Sequence, residues 1–297
     1  MVIDRIIDQC SRALGFLLEC FKMILEEPKL LVPSLLSVFF GFIMSLVIIV
    51  PFAFMNLFGK LGFYAFGGAV LVLLFVSYAF SYFFMGASSY AVYQHIKQGR
   101  SSLSDAFSRA FSCIVTLLLL AATAAVIQMI VNMLKNSSKN KGFLLSMIGS
   151  LAADVLREGW DIAVRLLVPV AVIAGLGYVD SLKKAFDIVK NNVVIIGVGE
   201  ISIRILTGII GFVGVLLSIF AAIGLFFLLS GLSFLLALAI AVPVAFVGIS
   251  LVSTLNLFIR TSYYTMLYVW AEERNVQSST GGAAQAVPAP LHNAFGI

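Results

Sequence analysis

Charged residues are absent from four long stretches of this chain. Residues 30–59, 61–94 and 110–134 carry no Asp, Glu, Lys or Arg, and neither do residues 205–259. About 20 apolar residues take a helix across the hydrocarbon of a bilayer. The first three stretches each predict one span, and the fourth is long enough for parts of two. Residues 143–173 have apolar ends but hold Asp154, Arg157, Glu158, Asp161 and Arg165 in their middle. Read as a span as well, they complete an all-α, polytopic bundle of six transmembrane helices, near 30–57, 62–95, 110–134, 145–175, 192–222 and 233–271.

Amphipathic segments precede the spans. Ile3, Ile6, Ile7, Cys10, Leu14, Leu17, Leu18, Phe21 and Ile24 recur at helical spacing among charges, which marks residues 1–28 as an interfacial helix rather than a cleaved signal. Glu27-Pro28 ends it, and Pro33 opens the first span. Ser102-Leu103-Ser104-Asp105-Ala106-Phe107 and Ser181-Leu182-Lys183-Lys184-Ala185-Phe186 share the pattern Ser-Leu-x-x-Ala-Phe before later spans. In the second copy Val179, Leu182, Phe186 and Val189 fall on one face, with Asp180, Lys183, Lys184, Asp187 and Lys190 elsewhere. The chain therefore parses as three units of surface helix, span out and span back. Residues 29–272 form the membrane domain, and 273–297 read as a flexible tail.

Composition agrees. The 297 residues are 61% hydrophobic and 11% charged, with a mean hydropathy of +1.09, against roughly 45–50% and 25% in soluble domains. A soluble enzyme or a nucleic-acid-binding domain is excluded, since no water-soluble fold of this size hides so much apolar surface. Outside the spans, Arg5, Arg12, Lys22, Lys29, Lys97, Arg100, Arg109, Lys183, Lys184, Lys190 and Arg274 fall on one side. Only Lys60, Lys135, Lys139 and Lys141 fall on the other. That asymmetry predicts a multi-pass cell-membrane protein with both termini in the cytoplasm. The net charge of +5 then reads as topology and attraction to anionic lipid head groups. Cys10, Cys20 and Cys113 are expected as free thiols on the cytoplasmic side. Asn136-Ser137-Ser138 fits a glycosylation sequon, by chance or as a modified site close to the membrane.

The charges inside spans four and five carry the chemistry. Asp154, Glu158, Asp161 and Arg165 are spaced four, three and four apart, along one helix face, beside Arg157. Glu200 and Arg204, also four apart, stand on span five. At about 1.5 Å per residue from the cytoplasmic connection, Glu200 lies at about 12 Å, Arg165 at 15–18 Å, Arg204 at 18 Å and Asp161 at 21–24 Å. Pairs Glu200–Arg165 and Asp161–Arg204 would form a neutral network, since an unpaired charge there costs roughly 2.5–3.5 kcal/mol. Such a network serves as a polar pathway, with Asp154 and Glu158 as its vestibule, or as a clamp that fixes helix register.

Other residues narrow the function. His95 and His292 are the only histidines, no Gly-rich phosphate loop is present, and no cofactor or metal is expected, so the chain reads as a non-enzyme. Gly208, Gly211 and Gly214 permit a close helix approach. Pro243 should kink span six, and Arg260 should snorkel. Two functions remain: a channel or transporter for a small polar or amphiphilic solute, or a scaffold or accessory subunit with a membrane-protein partner or a second copy of itself. Five charges within residues 154–165 exceed what a clamp needs, which favours transport.

Pro28-x-x-x-x-Pro33, Trp160 followed by Val168-Pro169-Val170, and Gly175-Leu176-Gly177 leading into Ser181-Leu182-Lys183-Lys184-Ala185 resemble a family of uncharacterised prokaryotic multi-span proteins, frequent in archaea. The likeness covers most of the chain outside the tail and implies six spans without a known activity. The family pattern places an acid where this chain has Ala174, and a Trp where it has Asn191-Asn192. Through Ala185-Phe186-Asp187-Ile188-Val189-Lys190-Asn191-Asn192, the chain also faintly resembles choline transporter-like proteins, which implies transport.

Overall fold

A computed structural model describes residues 15–54, 59–138, 143–231 and 233–280, and all regular structure among them is helical. Helix α1 covers residues 15–26. Glu27 leaves helical geometry at φ −143°, and Pro28–Leu31 makes one 3-10 turn. The remaining helices are α2 (Val32–Phe54), α3 (Gly59–Gln98), α4 (Leu103–Ser112), α5 (Ile114–Ser138), α6 (Phe143–Ala174), α7 (Tyr178–Asn191), α8 (Val193–Ser230) and α9 (Phe234–Thr280). The segments before residue 15 and after residue 280, with their expected interfacial and tail roles, lie outside the described residues.

Among the described residues five helices are long and apolar enough to cross a membrane, over Pro28–Val47, Ala69–Gln98, Ile114–Asn136, Gly199–Ser230 and Phe234–Arg274. The charges of α6 deny it a place among them alone. Over Gly149–Ala174 it qualifies only together with α7, across a bend of 118°. The protein is therefore an all-helical multi-pass membrane protein with five, or up to six, spanning helices. α9 is continuous for 47 residues with Pro243 inside it, about 70 Å of helix, more than the hydrocarbon thickness requires. It also continues past residue 273, where the tail was expected to begin.

The chain divides into two compact units. One comprises Phe40–Ala91 and Ser102–Ile188. Here α5 packs along α6, and α4 touches both through Ala106 and Ala110, which are fully buried. Ser102 caps α4 by accepting the Asp105 N–H at 3.3 Å, leaving its neighbour Asp105 in the acidic first turn. Gly86 lets α3 meet α6, since a Cβ there would stand 2.8 Å from Val172. Phe40 stacks on Phe80 at 3.8 Å, and Phe83 stacks on Phe107 of α4 at 6.1 Å.

α6 ends at Gly175, whose φ of +69° suits glycine. The carbonyls of Ala171, Val172 and Ile173, freed there, are taken, as is that of Leu176. Arg109 of α4 donates Nε to Val172 at 2.9 Å and Nη2 to Ile173 at 3.2 Å. Cys113 reaches the Ala171 carbonyl, and Thr116 and Ser181 both donate to Leu176. Tyr178, at the start of α7, bonds Thr123 of α5 at 2.9 Å.

The other unit comprises Met1–Phe39, Val92–Ser101 and Val189–Ile297. Its main seam joins α8 and α9, and small residues set how closely they approach. Cβ atoms at Gly211, Gly214 and Gly248 would meet Asn256, Val252 and Ser218 at 2.9, 2.5 and 2.5 Å. Gly208, expected in the same role, has no neighbour within 4 Å. Beyond Phe258 the seam becomes a core: Tyr263, Tyr264, Met266 and Leu267 are buried, and Phe16 of α1 meets Tyr263 edge-on at 5.8 Å.

Gly199 faces Tyr263 so closely that a Cβ would lie 1.7 Å from the phenol oxygen. Gly199→Ala should therefore cost about 1–3 kcal/mol by overpacking. Gly208→Ala should be neutral or stabilising by up to about 1 kcal/mol. Thermal melts of the two purified variants, followed by loss of the monodisperse peak on size exclusion, check the contrast.

Candidate functional site

Glu200, Arg204 and Thr207 follow one another at helical spacing on α8, and Arg260 and Tyr264 do so on α9. Across the seam, the Tyr264 hydroxyl donates to Glu200 Oε2 at 2.5 Å. Arg204 Nε stands 3.7 Å from Glu200 Oε1. Arg260 donates Nε and Nη2 to the Thr207 hydroxyl at 3.1 and 2.9 Å, and Thr207 passes its own proton to the Ile203 carbonyl. Arg260 thus turns into the seam rather than snorkelling along it. Glu200 is only 8% exposed, whereas the Arg204 side chain is 50% exposed. The carboxylate is the inner member of the pair and the guanidinium the outer.

The exposed apolar residues of α9 extend from Phe234 to Leu251. That band is about 27 Å long, close to the hydrocarbon thickness. Arg260 and Tyr264 follow beyond its end.

The remaining candidate residues lie on α6, in the other unit. Asp154 pairs with Lys135 of α5 at 2.7 Å; both side chains are exposed, so the pair is worth at most about 1 kcal/mol. Arg157 and Glu158 are exposed, and Asp161 and Arg165 are half-buried. Asp161 and Arg157 lie close enough to Tyr78 for their charges to act on its hydroxyl, as do Asp161 and Arg165 for Tyr82. Trp160 donates Nε1–H to Tyr82 at 3.4 Å. On α6 the hydrogen bond to the tyrosines of α3 is thus made by Trp160, while Glu200 on α8 joins Arg204 and Tyr264.

Residues 65–277 match the profile of DUF6159, a family of unknown function. The chain is a DUF6159 protein. No curated protein and no solved structure matches it. The family match carries neither an archaeal origin nor a relation to choline transporter-like proteins. It does cover all seven charged candidates, from Asp154 to Arg204.

One polar centre escaped the sequence reading and involves residues on both sides of the DUF6159 boundary. Glu27, before the match, takes Lys29 at 2.8 Å and the Ser101 N–H at 3.0 Å on Oε1, and faces His95 Nδ1 at 3.0 Å through Oε2. Glu26 stands 3.6 Å from the other ring nitrogen. One carboxylate thus ties the entry of α2 to the end of α3. Nearby in the same unit, Lys97 pairs with Glu273 of α9, and Arg274 lies over Trp270. Glu27-Pro28 reads locally as a helix stop; the partners are too distant in sequence to be anticipated. Of the thiols, Cys20 and Cys113 are free and buried, and burial pushes the Cys20 thiol up, which makes it inert.

Burial pushes the Glu27 carboxyl up, but hydrogen bonds from Lys29, Ser101 and His95 outweigh it and hold it at about 2 instead of 4.5. A depressed carboxylate stabilises the fold above its unfolded value and loses that contribution as pH falls. The clasp should supply roughly 3 kcal/mol at neutral pH, lost as acid takes the protein from about pH 4.5 toward 2. Glu27→Gln should lower the melting temperature at pH 7 and flatten its dependence in that acid window.

Proposed function

We propose that this DUF6159 protein is a non-catalytic channel or transporter for a small polar or amphiphilic solute. α6 is its sixth span, the termini are cytoplasmic, and the charges of α6 and those of α8 each offer the solute a polar surface. The observation that carries this reading is Arg204. It is half exposed near the start of the apolar stretch Gly199–Ser230, on the helix face that meets Tyr264 past the end of the α9 band, with the buried Glu200 behind it. A guanidinium so exposed is placed to meet water, a lipid head group or a polar solute. Asp161 and Arg165, grouped with Tyr78 and Tyr82, offer a second polar surface on a span. The charges then serve the solute as well as the fold.

A scaffold or accessory subunit is the second reading, favoured by a separate observation. α2 and α9 enclose a groove of about 360 Å³ whose walls include Leu35, Leu36, Phe39, Phe246 and Leu251, with no exposed polar lining. A helix of a membrane partner or a second copy of the chain would fit such a surface.

Cysteine accessibility separates the two without knowledge of the solute. In a Cys10→Ser background, Arg204→Cys and Asp161→Cys should react with a membrane-impermeant thiosulfonate at a rate within about 10-fold of an exposed position such as Ser104→Cys. Arg165→Leu should still yield monodisperse protein. Inert cysteines at both positions, together with aggregation of Arg165→Leu, would establish the clamp and sink the pathway.

A further inference from the structure

α7 presents an apolar stripe that the protein leaves largely exposed, with Leu182 half-buried. Val179, Leu182, Phe186 and Val189 share one face; Phe186 is 66% exposed and Val179 57%. The helix is attached instead by Ser181, Ala185 and Ile188, which are buried. At about 100° per residue, that buried face is centred about 110° from the stripe. Lys183 and Lys190 flank the stripe on its other side, and Asp180 and Asp187 lie beyond them. Lys183 is within 3.8 Å of Asp180, and both are well exposed.

The two copies of the Ser-Leu-x-x-Ala-Phe pattern make the bare face more telling. Ala106 and Ala185 are both buried, so both helices attach by the same position. The following phenylalanines diverge. Phe107 stacks on Phe83 and meets Phe84 edge-on, whereas Phe186 points away from the unit. The direction of α7 is fixed by the filled carbonyls around Gly175 and by Tyr178 on Thr123. The bend of 118° from α6 sets α7 within about 30° of perpendicular to that helix. Since spanning helices tilt by about 20° on average, α7 lies near the bilayer plane if α6 spans.

We propose that α7 is a membrane-docking helix that seats Val179, Leu182, Phe186 and Val189 at the head-group and acyl boundary of an anionic leaflet. Lys183 and Lys190 reach lipid phosphates from the flank of the stripe, and Asp180 and Asp187 face water. This placement applies whether or not the spans conduct a solute, because it depends only on the membrane setting of α6. A soluble protein partner is the competing cover for the stripe.

The test uses the full chain in nanodiscs of phosphatidylcholine, with or without phosphatidylglycerol, in a Cys10→Ser background. An environment-sensitive fluorophore is attached at Phe186→Cys or, as a control on the water-facing side, at Asp180→Cys. The Phe186→Cys probe should emit to the blue of the control and be quenched at least about 3-fold more by a lipid-borne nitroxide. Phosphatidylglycerol should increase that difference, and Lys183→Gln with Lys190→Gln should abolish the increase. Equal emission and equal quenching by aqueous iodide at both positions would overturn the docking. An aqueous Phe186→Cys probe in nanodiscs that becomes shielded in native membrane vesicles would also overturn it, in favour of a protein cover. A blue shift indifferent to phosphatidylglycerol would overturn the anionic selectivity.

Discussion

Where a helix stops at the edge of hydrocarbon, its last carbonyls have neither a next turn nor free water to bond. The fold depends on how the end of α6 solves that problem. Ala171, Val172, Ile173 and Leu176 receive Cys113, Arg109, Thr116 and Ser181, so donors from α4, α5 and α7 converge on one elbow. Arg109 contributes a positive charge at a helix C-terminus as well as two N–H groups. Its guanidinium fills the space beside Gly175, where a Cβ would lie 2.4 Å from Nη2, so glycine is required there for space as well as for φ. Because α4 supplies the arginine and buries its alanines, the same contacts that cap α6 also locate α4. The elbow then directs α7.

The seam between α8 and α9 faces a related constraint with different means. Lipid is as apolar as leucine, so burying Leu or Ile gives two helices in a bilayer little reason to associate. Close packing through Gly211, Gly214 and Gly248 and polar contacts through Thr207, Arg260, Glu200 and Tyr264 supply that reason. The two means follow one another along α9: close glycine contacts from Gly248 to Asn256, then the charge and hydroxyl contacts of Arg260 and Tyr264. Glu27 performs the corresponding task for helix ends in the same unit, gathering a backbone N–H, a lysine and a histidine on one carboxylate.

Much of this architecture was legible in the sequence, because charge-free runs mark lipid-crossing helices and charged amphipathic segments mark what lies between them. The five apolar helices fall where those runs predict, and α4 and α7 fall on the two copies of Ser-Leu-x-x-Ala-Phe. What the pattern hides is which face packs. In water, hydrophobicity separates inside from outside; in a bilayer both are apolar, so Phe186 and Ala185 look alike although one is bare and the other buried. Small size marks the packed face better, and even that signal needs coordinates: Gly211 and Gly214 face α9, while Gly208 faces nothing. The break expected between residues 222 and 233 falls after Ser230, toward the end of that window. Arg260 resembles a snorkelling residue until Thr207, 53 positions earlier, is seen to receive it.

The charged cluster on α8 is asymmetric in a way that bears on its purpose. Burying both members of an ion pair costs desolvation that their attraction need not repay, so a pair with one member left exposed is a cheaper joint. Here Glu200 is enclosed and bonded by Tyr264, while the Arg204 side chain is half exposed and stands 3.7 Å from Glu200 Oε1. The tyrosine supplies the buried hydrogen bond and the arginine the outer charge. On the pathway reading the exposed guanidinium is the group that meets the solute. On the clamp reading its exposure spares the pair the cost of full burial.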